Sequence, residues 1–166
     1  MLERSQEILV AREGRDTMAK RRPNHDRPLA PRRPLVVVCR GGDCGSQLKH
    51  PGADHATQLR RLRDEIRSET ATVTVSKCLD ACKHSNVIVV VPGEEGRAVG
   101  AEPVWVAGVL AGDATSDVIA WVNQDDLDTD TPGMIQIRRF RPTRQSRREL
   151  SDPRTLPAWR ASAPAD

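Results

Sequence analysis

The placement of four cysteines constrains this chain more than any other feature. Cys39 and Cys44 follow the apolar run Pro34–Val38, while Cys78 and Cys82 lie between the runs Thr72–Ser76 and Asn86–Val91. No other cysteine occurs in the 166 residues. Each pair is therefore tied to the end of a predicted strand. A fold that gathers those strand ends gathers four thiols. The first expectation is a single four-cysteine site, with the rest of the chain arranged to hold it.

The spacing narrows the chemistry. It reads Cys-x4-Cys, then 33 intervening residues, then Cys-x3-Cys. Thiolates ligate zinc and iron–sulfur clusters alike. Structural zinc sites favour Cys-x2-Cys knuckles, whose tight turn aims both sulfurs at one ion. Thiol–disulfide exchange of the thioredoxin type wants Cys-x-x-Cys at a helix start. Neither spacing is present. A [2Fe-2S] cluster is a longer rhomb with two sulfurs on each iron, and it tolerates wider, unequal loops. The spacing thus favours a [2Fe-2S] cluster on Cys39, Cys44, Cys78 and Cys82, with a zinc-stabilised four-cysteine binding module as the alternative.

The N-terminus lacks the apolar stretch of a secretory signal, and no apolar run approaches the ~20 residues of a membrane span. A cytoplasmic location is expected, with no membrane partner. Thiols stay reduced there, so metal binding is favoured over structural disulfides.

The flanking residues suit an anionic centre. Gly41, Gly42 and Gly45 permit close backbone approach. The same loop lacks the Gly-Lys-Ser/Thr of a phosphate loop and the glycine spacing of a dinucleotide site. Arg40, Lys49, Lys77 and Lys83 can offset thiolate charge, or simply keep the loops soluble. His50 and His84 are conceivable substitute ligands, but with four cysteines available they read more plainly as loop-packing residues. Asp43 and Asp80 read as turn supports.

Charge is unevenly distributed. Residues 1–34 hold nine basic and five acidic side chains, residues 35–137 nine and fifteen, and residues 138–166 eight and three. An acidic centre therefore lies between two basic, apolar-poor ends. Such ends cannot offset the entropy of ordering. The expected organisation is a disordered Arg/Pro-rich tail over 1–34, one domain over 35–140, and a disordered basic tail over 141–166. Met18 is a second candidate start. The tails give the alternative reading its partner, nucleic acid or an acidic protein, although the plainer expectation is that they only solubilise.

Periodicity supplies the elements. Leu35–Val38 predicts a strand buried on both faces. Asp54 predicts an N-cap for a helix presenting Ala56, Leu59, Leu62 and Ile66, with Arg60–Asp64 as a surface ion pair. Val73 and Val75 predict a half-buried strand. The runs 87–91 and 104–107 predict an antiparallel pair joined by the turn-rich segment Pro92–Arg97. Asp113 predicts the cap of a second helix containing Val118, Ile119, Trp121 and Val122. Asp125, Asp126, Asp128 and Asp130 read as a solvated linker without the calcium-loop pattern. Pro132–Phe140 reads as a segment packing back on the sheet. The first two strands with their helix make a parallel unit, right-handed by rule. The expected fold is α/β: a thioredoxin-like, four-stranded mixed sheet with flanking helices.

Leu35–Ser46 (LVVVCRGGDCGS), Val73–Pro92 (VTVSKCLDACKHSNVIVVVP) and Val104–Val122 (VWVAGVLAGDATSDVIAWV) together resemble the thioredoxin-like [2Fe-2S] ferredoxins. More closely, they are similar to the bacterial (2Fe-2S) ferredoxin domain-containing proteins. The Cys-Leu-x-x-Cys loop followed by Ser-Asn-Val is the most specific part. The resemblance implies a [2Fe-2S] cluster on the four cysteines, one-electron transfer, and often a homodimer. Cys39 and Cys44 depart from it, because the better-known members separate the first two ligands by a longer loop.

These observations predict a ferredoxin-like electron carrier serving a redox partner protein, with its acidic centre steering it to a basic partner. No catalytic constellation is visible, so enzyme activity of its own is not expected.

Overall fold

The computed structural model describes residues 31–124, 127 and 131–156. Of the expected tail over 1–34, residues 1–30 lie outside the described residues, as do Asp125, Asp126, Asp128, Asp130 and residues 157–166, while the 31–34 part is held against the fold by bonds from Glu94 and Arg97 to the Arg32 and Pro31 carbonyls.

A β-branched run with no polar interruption is stable only where both faces are covered. Leu35–Cys39 (β1) meets that condition as an inner strand, and every one of its residues is buried. On one side it pairs in parallel with Thr72–Ser76 (β2), with Leu35 opposite Thr72 and Cys39 opposite Ser76. On the other it pairs antiparallel with Ile88–Val91 (β3), which pairs antiparallel with Val104–Val106 (β4). The order is β2-β1-β3-β4. β2 is an edge strand, which explains its alternating polar residues and half-burial. The predicted parallel unit and the predicted hairpin are both present.

Strand alternation sends side chains to two separate cores. Val36, Val38, Ile88, Val90 and Val106 face one core, closed by Leu62 and Ile66 together with Val118, Ile119, Trp121 and Val122. Those residues come from the helix His55–Glu65 (α1) and its C-cap, and from the helix Gly112–Val122 (α3). Leu35, Val37, Cys39, Val87, Val89, Val91 and Trp105 face the other core, with Cys44, Leu79, Leu150 and Leu156. Each fully buried valine or leucine contributes about 2 kcal/mol of apolar transfer.

Several local details differ from expectation. Asp54 does cap α1, its side chain accepting from the Thr57 N–H at 2.9 Å. The surface pair on α1 is Arg61–Glu65, at 2.7 Å, while Arg60 donates to the Thr57 hydroxyl. Arg61–Glu65 has the same i,i+4 spacing as the expected Arg60–Asp64 pair. Arg61 also reaches the Gly112 carbonyl and Ser116 on α3, which fixes its side chain. On α1, Ala56 is exposed and the buried positions are His55, Gln58 and Leu62. Ala111, not Asp113, is the N-cap of α3, and Asp113 accepts from Ala114 N–H inside the first turn. The hairpin connection contains a one-turn helix, Glu94–Ala98 (α2).

The largest departure concerns the C-terminal part. Gly133–Arg138 (α4) buries Ile135 in the first core, as expected of a segment packing back, whereas its other apolar residues Met134 and Ile137 are exposed. Arg139 then bridges Val106 at the β4 edge, and Phe140 N–H donates to the Trp105 carbonyl. Residues 141–156, expected as disordered tail, instead continue the fold. They form the helix Arg144–Ser151 (α5), capped by Thr143, and they bury Ser146, Leu150, Thr155 and Leu156. Few apolar residues suffice here because they are few but all buried, and the backbone is held by specific polar contacts. Among the described residues no helix is long and apolar enough to cross a membrane.

Candidate functional site

The site lies at the carboxyl ends of the parallel pair β1 and β2, where side chains leave the sheet at the same edge. Cys39 is the last residue of β1. The chain then turns through a 3-10 segment, Gly42–Gly45, which places Cys44 back under the sheet end, buried. Cys78 follows β2 by two residues, and Cys82 opens a second 3-10 turn, Cys82–His84. The two loops face each other.

Gly41 and Gly42 set how closely they meet. A Cβ on Gly41 would lie 2.1 Å from the Cys78 nitrogen. Gly42 has φ +57°, and a Cβ there would lie 2.8 Å from Cys82 Sγ and 3.4 Å from Cys78 Sγ. Both positions thus exclude a side chain, and Gly42 also needs the left-handed backbone that glycine favours. Asp80, inside the second pair, is the described non-glycine residue at positive φ, +54°. Short polar residues tolerate that conformation best.

The thiols are arranged as two pairs. Cys78 Sγ and Cys82 Sγ are 3.5 Å apart. The neighbouring Cys44 side chain lowers Cys39 to about 6, and the same proximity, with burial, raises Cys44 well above the usual thiol range. The Leu79 and Gly41 N–H groups assist at Cys39. Ser76 adds to this lowering, and its hydroxyl is buried with no hydrogen-bond partner. Cys39 Sγ also lies 3.5 Å from the Lys77 carbonyl oxygen. The Val87 N–H favours a charged Cys44, and the Asp80 N–H a charged Cys78. Burial raises Cys78, followed by the proximity of Cys82 and Cys39. The four sulfurs are therefore close enough to feel one another, and backbone N–H groups are directed at three of them.

The basic flank is less uniform than its sequence. Lys49 pairs with Asp43 at 3.6 Å on the surface, so both are engaged away from the sulfurs. Lys77 and Lys83 are exposed. Arg40 turns inward. It donates to the Cys39 carbonyl at 3.0 Å, to Gln58 Oε1 at 2.8 Å, to the His55 carbonyl at 3.2 Å and to Asn86 Oδ1 at 3.4 Å. Burial pulls its guanidinium below its ordinary value, and the Cys39 and Cys44 sulfurs oppose that shift.

Sequence reasoning missed this buried network. Asn86 donates to Gln58 Oε1 and lies 3.2 Å from His55 Nδ1, while Gln58 donates to the Val109 carbonyl and to Thr115. The only sequence signal was a polar Asn opening an apolar strand. Its partners His55 and Gln58 are buried on α1 outside the apolar spacing of Ala56, Leu59, Leu62 and Ile66. The two candidate histidines are occupied elsewhere: His50 Nε2 lies 2.8 Å from Ser85 Oγ, and His84 stacks on Phe140 with ring centroids 4.0 Å apart.

The second cysteine loop is held from outside by the segment that follows Phe140. Ser146 donates to the Asp80 carbonyl at 2.9 Å, and Lys77 N–H donates to the Thr155 carbonyl at 2.8 Å. Nothing in the charge pattern of 138–156 marks those two anchors.

The residues fit a thiolate-bound group. The Gly41–Gly42 cradle that a Cβ would fill, the orphaned Ser76 hydroxyl and the N–H groups directed at sulfur are the features a buried sulfur-ligated anion needs. Among the described residues, no group of three or more His, Cys, Asp or Glu side chains is drawn together around a single ion.

Fold and site together define a mixed α/β protein with a four-stranded mixed sheet and two facing thiol pairs at one sheet end. No family model, curated protein or solved structure matches the chain.

Proposed function

We propose that this protein is a thioredoxin-like [2Fe-2S] ferredoxin, a one-electron carrier without enzyme activity of its own. Cys39 and Cys44 would form one ligand pair and Cys78 and Cys82 the other. The observation that carries the reading is the facing of two thiol pairs across a glycine cradle, at the ends of adjacent parallel strands. A two-iron rhomb takes two sulfurs per iron, so pairs suit it better than the four-fold convergence a lone tetrahedral zinc takes. When bound, the cluster supplies a reversible one-electron couple.

The chain's own contribution is electrostatic and steric. N–H groups of Gly41, Leu79, Val87 and Asp80 stabilise negative sulfur. Arg40 adds a positive charge on the β1 side of the site. Cys39 and Cys44 are buried, while Cys78 and Cys82 are partly exposed, so the second pair would be the side nearer a partner.

Anaerobic purification with metal and acid-labile sulfide analysis tests this. The expected result is about two irons and two sulfides per chain, with a visible charge-transfer spectrum and an EPR signal on reduction. Colourless protein holding zinc alone overturns it. Cys78→Ser and Cys39→Ser variants are each expected to lose most of the iron.

A further inference from the structure

The groove beside the second cysteine loop has a charge that the carrier reading alone does not explain. It encloses about 1000 Å³ between β4, the Arg139–Pro142 segment and α5. Arg139, Arg141, Arg144, Arg147 and Arg148 line it, all exposed. None of these five guanidinium groups has a hydrogen-bond or ion-pair partner among the described residues. Glu102 is the one carboxylate among its lining residues. Glu149 on the same helix is engaged with Gln145 and Thr155. Residues 138–148 hold six arginines and no acidic residue. Arg144 even occupies the first turn of α5, where the helix dipole disfavours a cation. An arrangement that repels itself gains stability from an anionic occupant.

Two contacts join the groove's walls to the second cysteine loop. Phe140, in its wall, stacks on His84, two residues beyond Cys82. α5 presents its arginines to the groove and anchors through Ser146 to the Asp80 carbonyl between Cys78 and Cys82.

We propose that this groove docks a carboxylate-rich segment of the protein partner that exchanges electrons with the site. The partner's docking face is then acidic, the opposite of what the acidic centre of the sequence suggests. The identification of the occupant as a redox partner rests on the carrier reading above. Guanidinium groups without partners match carboxylates bidentately, and they would steer an acidic surface toward the more exposed cysteine pair. A nucleic-acid strand would need open aromatic faces for its bases. The groove does not offer them: Phe140 is stacked on His84 and abutted edge-on by Trp105, and Trp105 is buried.

The test uses the full chain, at about physiological ionic strength, with two fluorescent probes: decaglutamate and a thymidine decanucleotide. Two charge reversals of equal size are compared, Arg144→Glu with Arg148→Glu in the groove, and Arg60→Glu with Arg63→Glu on the solvent face of α1. Fluorescence anisotropy is expected to show decaglutamate binding that weakens about tenfold or more in the groove variant, and less than about twofold in the α1 variant. Equal weakening in both variants, no decaglutamate binding, or tighter binding of the nucleotide strand each overturns the proposal. Iron and sulfide are measured on the same samples. A cluster without groove-dependent binding removes the docking site and leaves the carrier. Groove-dependent binding without a cluster keeps the acidic-segment site and removes the carrier.

Discussion

The two faces of the sheet are built from alternate residues of the same strands, yet they are closed in different ways. One face is covered by α1 and α3, each eleven residues long, with aliphatic side chains and Trp121 meeting Val36, Val38, Ile88 and Val90. The other is covered by two cysteine loops, Phe140, Leu150 and Leu156, drawn from short turns and one eight-residue helix. The first face is held mainly by apolar burial. The second depends on single polar contacts and on glycines that admit a loop. The four thiols sit on the second, where loops with few packing demands can carry reactive side chains, while the first supplies the stability that tolerates them.

The sharpest way to break this comparison is at its best-packed point. Trp121→Ala should cost about 4 kcal/mol of unfolding free energy, read from a urea denaturation curve. A loss no larger than that of a surface substitution would mean the helical face is not the main store of stability. Gly41→Ala should cost about 2–3 kcal/mol, because its Cβ meets backbone rather than a movable side-chain end. It should also strip bound iron, which Trp121→Ala spares in the fraction that remains folded. Retention of full iron in Gly41→Ala would show that the loops can separate without harm to the site.

Ser146→Ala removes the bond from α5 to the Asp80 carbonyl and should cost about 1 kcal/mol. The informative readout is local. In metal-free protein, alkylation of Cys78 and Cys82 should accelerate several-fold while Cys39 and Cys44, buried on the β1 side, change little. Uniform acceleration of all four would mean that α5 stabilises the whole domain rather than one loop.

The smallest effect is the pH dependence of the buried network. His55, only 9% exposed, is pulled below the ordinary histidine value first by burial and then by the Arg40 charge. The unfolded chain therefore takes up the proton before the folded one as pH falls. Stability should be full above the ordinary histidine value and decline as pH drops through it toward the lower folded-state value. Denaturation midpoints at neutral pH and at about pH 5 check this, with His55→Gln expected to flatten the slope. An unchanged slope in that variant would assign the acid sensitivity to other groups.

Legibility in the sequence divides along the same line as the two faces. The helical face was largely readable, since Leu62, Val118, Trp121 and the strand valines recur at helical or strand spacing, and that periodicity is itself a record of burial. The strand pairings followed from run length and connection type. On the cysteine face, residue identity and spacing marked the four thiols and the glycines between them. The support around them was not legible. Arg40 looked like a surface cation and is a half-buried donor to four acceptors on β1, α1 and Asn86. Residues 141–156 looked like a basic tail because arginine dominates their composition, whereas Ser146, Leu150, Thr155 and Leu156 fix them to the second loop. No short-range pattern encodes a contact across sixty-six residues, such as that of Ser146 with Asp80.

The sequence by itself determined that four thiols stand at strand ends, because strand-forming runs and cysteine positions are both local properties of the chain. It determined most of one core for the same reason. Only the tertiary structure decided that the thiols meet as two pairs over a glycine cradle, which guanidinium turns inward, and that an arginine-lined groove adjoins the second loop. Those features depend on the register of β1 against β2 and on where a distant helix docks, and such contacts arise only when the chain closes on itself.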